Sequence, residues 1–380
     1  MSLPFSLVFS LLSAALTVSA IRIPVTQLRP SGSSPLQVAK RSLHAALKME
    51  ICVTDGTAVV PQTFDEGFWF GTFDVGLARN LSLLIDTGSS DLAVNPDRYK
   101  TSNASVDLQR QGALRYGTVF ANGCGVANIS YSVFNDSMSF ANMTVPVQTF
   151  ASVKLTPPPD NDTVTQFPHD GIAGLGTSNR SQLKATTFFH QMCDRGTIKE
   201  CRFGLAFKGD GTGVQVLGEV DETLFSGSLA RANIEEEWRV RGDVRVGGQL
   251  VVKDQNMFVD SGTVNVVGPL AQVAKLFENA GIQAVNLSLP GCKKIMTGHY
   301  PCDKPPPVTF SLSTGGEDAL GIEAAAFKQA ANGENNCTTT ITGIANNTKF
   351  WVIGQSWLQG KYVDFDVTGR TIGVAYLKDK

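Results

Sequence analysis

Long apolar runs are almost missing from this sequence of 380 residues. One lies near the N-terminus, from Phe5 to Leu16, and no later segment has the length and apolarity to cross a bilayer as a helix. Blocks of like charge are missing too: 32 Lys+Arg stand against 34 Asp+Glu, a formal net charge of -2. That balance gives no reason to expect a nucleic-acid or anionic-membrane partner. Histidine is scarce. His44, His169, His190 and His299 are far apart and none belongs to a His-x-x-x-His pair, so no helical metal-ligand pattern is present. The Gly-rich spot from Gly209 to Gly213 is not followed by Lys-Ser or Lys-Thr opening a helix, which argues against a phosphate cradle. What remains is a globular composition, 42% apolar and 17% charged, which excludes a disordered tail and a collagen-like fibre. The length fits two domains or one large bilobal unit whose core does not depend on disulfides.

Residues 1–20 read as a signal peptide, because the apolar run leads to Val18-Ser19-Ala20, small residues that suit a signal-peptidase cut after Ala20. Residues 21–61, rich in Pro, Ser and basic residues, read as a pro-segment in which the dibasic Lys40-Arg41 marks a cut after residue 41. The charged ending Lys378-Asp379-Lys380 does not suit a lipid-anchor signal, so no membrane anchor is expected. Asn-x-Ser/Thr acceptors stand at Asn80, Asn103, Asn128, Asn135, Asn142, Asn161, Asn179, Asn286, Asn336 and Asn346, where chance composition would give about three. Their excess favours a eukaryotic secretory route, an extracellular or vacuole- or wall-retained protein, and surface positions for these segments. Seven cysteines, Cys52, Cys124, Cys193, Cys201, Cys292, Cys302 and Cys337, fit an oxidising compartment with a few scattered bridges. Cys193 and Cys201 are close enough to close a short loop, and Cys302 and Cys337 form a second candidate pair. One cysteine is left over, Cys52 if its segment is trimmed away, and spacing alone leaves the connectivity open.

From Phe68 onward the texture is β. Short aromatic and β-branched runs such as Phe68 to Val75 and Leu81 to Ile85 are bounded by Gly and Asn. The clearest hairpin is near the C-terminus, where Val363, Phe365 and Val367 alternate with Asp364 and Asp366, Gly369 turns the chain, and Thr371 to Tyr376 returns. One helix is predicted after Pro269, taken as its first residue, with an apolar stripe of Leu270, Val273, Ala274 and Phe277 and a stop at Gly281.

An internal repeat carries the chemistry. Leu83-Leu84-Ile85-Asp86-Thr87-Gly88-Ser89 matches Met257-Phe258-Val259-Asp260-Ser261-Gly262-Thr263, each an apolar strand ending in Asp-(Thr/Ser)-Gly-(Ser/Thr). Ile172-Ala173-Gly174 follows the first at nearly the distance at which Val352-Ile353-Gly354 follows the second, which implies two related lobes. A buried carboxylate at such a strand end needs donors: the Gly permits a turn whose N–H faces it, and Ser89 or Thr263 supplies a hydroxyl. Two such loops facing each other would bring Asp86 and Asp260 into hydrogen-bonding range, where like charge makes them share one proton. A pair of that kind can activate a water as base and stabilise an oxyanion as acid, with no metal, cofactor or covalent intermediate.

These segments resemble the two active-site motifs of the pepsin-like aspartic proteases. Phe167 to Gly176 and Trp351 to Gln355 resemble the family's paired psi-loop segments, and Gly218 to Leu229 its crossing between lobes, so the likeness runs from about Phe68 to Leu377. It implies an all-β, bilobal pepsin-like fold with few short helices and lobes related by a pseudo-twofold axis, here 62–225 with the flap and 226–380. It implies a monomeric secreted endopeptidase acting on an extended polypeptide with Asp86 and Asp260 as catalytic pair, Thr87, Ser89 and Ser261 in support, and Gly88, Gly262 and Thr263 against the substrate. Tyr116-Gly117-Thr118 best matches the flap that covers the scissile bond, with Gly123 and Gly125 later in the hairpin.

The sequence also departs from the family pattern. Ala93 stands where the family has a Trp that supports the flap Tyr, the interval from Asp86 to Tyr116 is short, Val264 replaces a hydroxyl residue, and Gln355 takes a place often held by Asp. The alternative reading is a binding glycoprotein that keeps the fold with weak activity or none. Both aspartates argue against it.

Overall fold

The computed structural model describes residues 52–378 apart from 55, 66, 121–122, 156–163, 289–293, 317, 332–334 and 346–348, and leaves out the side chains of 52–54, 117–120 and 123–126. The signal peptide, Lys40-Arg41, Asn161, Asn346 and Cys292 therefore lie outside the described residues, as do the side chains of Cys52, Cys124 and Thr118.

Strands dominate and gather into two sheets, one of 14 strands and one of 11. The repeat reappears as a shared pairing pattern. In the first sheet Ala78–Asp86 runs parallel to Gly171–Gly174, with Asp86 opposite Gly174, and Gly171–Gly174 runs antiparallel to Leu92–Val94 on its other side. In the second, Gln249–Val259 runs parallel to Trp351–Ile353, which pairs antiparallel with Val266–Pro269. The ends of both Asp-bearing strands are apolar on both faces because both faces are covered: Leu83, Leu84, Ile85, Met257, Phe258 and Val259 are all buried. Each loop after the strand is thus held at the centre of its half.

Strands from both ends of the chain share a floor. Thr57–Asp65, Thr212–Leu217, Arg202–Phe207, Lys361–Asp366, Thr371–Tyr376 and Ala230–Asn233 lie side by side within the first sheet. The C-terminal hairpin forms as its alternation predicts, with Val363 opposite Val374 and Phe365 opposite Ile372. Phe365 stacks on Phe203 at 4.6 Å, and buried Asp364 is held by Arg202 at 3.1 Å and Arg231 at 3.0 Å. Thr57–Asp65 begins inside the stretch read as pro-segment, and Ala58 to Pro61 pair in register with Leu217 to Val214.

The helix spans Leu270–Ala280 and stops at Gly281 in the left-handed conformation (φ 65). Pro269 sits one position earlier than expected, at the N-cap, because it also ends the strand Val266–Pro269. Val273, Leu276 and Phe277 form the buried stripe.

Cys193 bonds Cys201 and Cys302 bonds Cys337. The second bridge closes the longer loop, with a sequence separation of 35 against 8. Replacing Cys302 and Cys337 by Ser is expected to cost about 4 kcal/mol and replacing Cys193 and Cys201 about 2.5 kcal/mol, by loop-closure entropy. Urea unfolding of the two double variants measures both; equal losses would contradict the loop-length argument.

Candidate active site

Asp86 ends its strand and Asp260 lies one residue past Val259, both fully buried. Each carboxylate is served by its own turn. Gly88 N donates to Asp86 Oδ1 at 2.8 Å and Ser89 Oγ to Oδ2 at 2.5 Å; Gly262 N donates to Asp260 Oδ1 at 2.8 Å and Thr263 Oγ1 to Oδ2 at 2.6 Å. Each carboxyl also lies against the opposite loop, Asp260 against Gly88 and Asp86 against Gly262. Residues far apart in sequence therefore form one site with approximate twofold symmetry.

The residues between Asp and Gly lock the loops together. Thr87 Oγ1 donates to Val259 O at 3.0 Å and accepts from Ser261 N at 2.9 Å. Reciprocally, Ser261 Oγ donates to Ile85 O at 2.7 Å and accepts from Thr87 N at 3.0 Å. Four buried hydrogen bonds thus cross between the halves, and losing a partner would leave buried backbone groups unpaired. The equivalent positions of the two hydroxyls were readable in the repeat, but not their partners.

Gly88 and Gly262 are required for a different reason than turn geometry. A Cβ on Gly88 would overlap the Asp260 carboxylate, and one on Gly262 would overlap that of Asp86. Their missing side chains let the carboxyls approach.

Burial raises the Asp260 carboxyl well above its ordinary range, and the neighbouring Asp86 charge pushes it further, against the hydrogen bonds from Thr263 and Gly262. A carboxyl pair in contact holds one proton where an isolated carboxyl would have lost it, and that proton belongs to the pair. Gln355 buttresses the second loop: its N–H donates to Thr263 O at 2.7 Å and its side-chain amide to Ser261 O.

Tyr116 lies on the strand Val106–Phe120, which pairs with Gly123–Phe140 as a long hairpin with Tyr116 opposite Ala127. Its ring is 1% exposed and meets Phe167 edge-on at 5.4 Å, in a cluster that includes Ala93 and Leu183. The hydroxyl has no hydrogen-bond partner among the described residues. Burial and then the charges of Asp91 and Asp86 hold its pKa well above that of an ordinary tyrosine. Tyr116→Phe is therefore expected to match or exceed the wild-type melting temperature, since the hydroxyl is buried without a bond. A clear loss in a thermal melt would reveal a partner.

Asp91 lies two residues past Ser89. It is buried and accepts from Ser181 Oγ at 2.5 Å, Gln182 N at 2.8 Å and Leu183 N at 3.2 Å, with burial raising its carboxyl despite those donors. Among the sequons, Asn80, Asn103, Asn128, Asn142, Asn179 and Asn286 are exposed, whereas Asn135 and Asn336 are half-buried. Asn135 accepts from Thr149 Oγ1 at 2.7 Å, and Asn336 is hydrogen-bonded to the His299 ring at 3.1 Å. Among the described residues no group of three His, Cys, Asp or Glu side chains is placed to hold a metal ion, and no helix is long and apolar enough to cross a membrane.

A family profile described as eukaryotic aspartyl protease matches residues 68–377. The chain is 24% identical over 362 residues to an aspartic protease of Phaffia rhodozyma, covering 93% of this chain and 87% of that protein. It is 25% identical over 394 residues to cathepsin D of Gallus gallus, covering 93% and 94%, and 26% identical over 343 residues to gastricsin of Homo sapiens, covering 83% of each. The crystal structure of the aspartic proteinase from Irpex lacteus superposes with a TM-score of 0.67 at 18% identity, over 85% of this chain and 98% of that one, a likeness of fold. With the profile spanning both Asp-bearing loops and the strands that carry them, the chain belongs to the eukaryotic aspartyl protease family and is an endopeptidase of the aspartic type.

Proposed function

We propose that Asp86 and Asp260 are the catalytic pair of a secreted, monomeric endopeptidase that cuts extended polypeptides between lobes formed by residues 62–225 and 226–380. The observation that carries this reading is the approach of two buried carboxylates, each against the glycine of the opposite loop, with the loops clamped together through Thr87 and Ser261.

A water held between the carboxyls attacks the scissile carbonyl carbon. The ionised carboxylate takes the water's proton while the protonated carboxyl donates to the developing oxyanion. The tetrahedral intermediate then collapses as a proton passes to the leaving nitrogen. Gly88, Gly262 and Thr263 border the substrate, Ser89 and Thr263 fix the carboxylate planes, and Tyr116, Gly117 and Thr118 belong to the flap above. The apolar run from Phe5 to Leu16, the exposed sequons and the two disulfides support a secretory route. We place the maturation cut at Lys40-Arg41, upstream of Thr57–Asp65, so that this strand stays in the floor sheet.

Purified protein brought to acid pH is expected to cleave a denatured protein substrate, and pepstatin, a statine-containing peptide, to stop it. Absence of cleavage under acid conditions would contradict the catalytic reading and favour a peptide-binding glycoprotein.

A further inference from the structure

Residues 177–183 touch three parts of the molecule at once. Ser90 Oγ donates to Thr177 O at 2.7 Å, and Asp91 gathers Ser181, Gln182 and Leu183, so this turn is fastened to the loop that starts at Asp86. Arg180 forms an ion pair with Glu237, which leads into the second sheet, and its guanidinium lies 5.8 Å from the ring of Phe258, two residues before Asp260. On its third side the turn meets the strand Val106–Phe120.

That strand ends the order of the first sheet, so among the described residues its outer edge has no strand neighbour. At Arg115, next to Tyr116, the Gln182 side chain takes the neighbour's place. Its Oε1 accepts from Arg115 N at 3.0 Å and its Nε2 donates to Arg115 O at 3.3 Å. One primary amide thus satisfies both backbone groups, as the peptide of an added strand would. Arg110 adds a bond from its Nη2 to Leu183 O at 3.1 Å. Nothing in the sequence around Gln182 announces this, because the contact depends on where Asp91 pulls the turn.

We propose that Gln182 is a positioning residue that pins the strand carrying Tyr116 to the loop carrying Asp86, so that the flap closes in register with the carboxyl pair. The proposal rests on the catalytic reading above for its kinetic consequence and on geometry alone for its structural one. The flap holds a bound peptide in ground and transition states alike, so loosening it raises KM and leaves kcat nearly unchanged, whereas loss of a dyad carboxyl removes kcat.

The test compares Gln182→Ala and Gln182→Glu with the wild type. In Gln182→Ala, amide hydrogen exchange at Arg115 is expected to speed up about tenfold and KM to rise about tenfold, the loss of a hydrogen-bonded pair at a sheet edge. Exchange in Thr57–Asp65 should not change. Gln182→Glu is expected to restore both values at about pH 3, where its carboxyl is protonated and presents one donor and one acceptor, and to restore them only in part by about pH 6, where the carboxylate still accepts from Arg115 N but can no longer donate to Arg115 O. The charged groups facing it are Asp91 beneath its backbone and Arg110 and Arg115 on the strand opposite. Unchanged exchange at Arg115 in Gln182→Ala, or a Gln182→Glu variant that matches Ala at every pH, would overturn the proposal. A wild type that cuts no peptide would defeat the catalytic reading while the exchange measurement still decides this one.

Discussion

Asp86→Asn and Asp260→Asn are each expected to lower kcat for peptide hydrolysis by about a thousandfold or more with little change in melting temperature. Asparagine has the shape of the carboxylate it replaces. At residue 86 its oxygen can still accept from Gly88 N, and the Ser89 hydroxyl can turn to accept from the new amide group. The same exchange is open at residue 260 with Gly262 and Thr263. The fold therefore survives. The chemistry does not, because an amide can neither take the water's proton nor share a proton with its neighbour. Turnover measured beside a thermal melt separates the two, and activity above about a tenth of wild type in either variant would remove that residue from the mechanism.

The second large effect is on stability. Asp260 and Asp91 are buried carboxyls whose folded pKa lies above the ordinary carboxylate value. The folded state binds their protons more tightly than the unfolded chain does. The resulting stability is fully present below the ordinary carboxylate range and is lost as pH rises through the raised folded values, at about 1.4 kcal/mol for each pK unit. Asp136 works the other way. Hydrogen bonds from Ser102, Tyr99 and Ser137 outweigh its desolvation and lower its carboxyl, so its contribution is lost as pH falls. Between about pH 4 and pH 7.5 the lowered carboxyls of Asp136 and Asp254 are largely ionised in both states. Three raised carboxyls, Asp91, Asp260 and Asp364, then stand against His190, whose pKa is lowered by burial and works the other way. The balance predicts a melting temperature higher at about pH 4 than at about pH 7.5, with a flatter profile in Asp91→Asn. A melting temperature that climbs steadily towards neutral pH would contradict this.

How far the molecule could be read from its residues depends on whether the signal is local. The two Asp-bearing strands, the C-terminal hairpin and the helix after Pro269 were legible because each is marked by apolar periodicity and a Gly within a few positions. The Thr87–Ser261 lock was half legible: two hydroxyls in equivalent places, with carbonyl partners in the opposite half that no local pattern reveals. Gly88 and Gly262 were read as turn residues, whereas the opposing carboxylate is what excludes a side chain there. Tyr116 was expected in the flap from its place before Gly117-Thr118, whereas the burial of its ring in a cluster that also holds Ala93 depends on contacts that no local pattern shows. Gln182 left no trace at all, since an amide that completes a sheet edge looks like any surface glutamine until the edge is known.

The dependence of kcat/KM on pH reports most directly on a proton shared by Asp86 and Asp260. A bell with its maximum on the acid side of neutrality, one limb for gaining the second proton and one for losing the first, is the predicted profile. A single limb that rises to a maximum above neutral pH would mean that some other group activates the water, and the shared-proton account would fail.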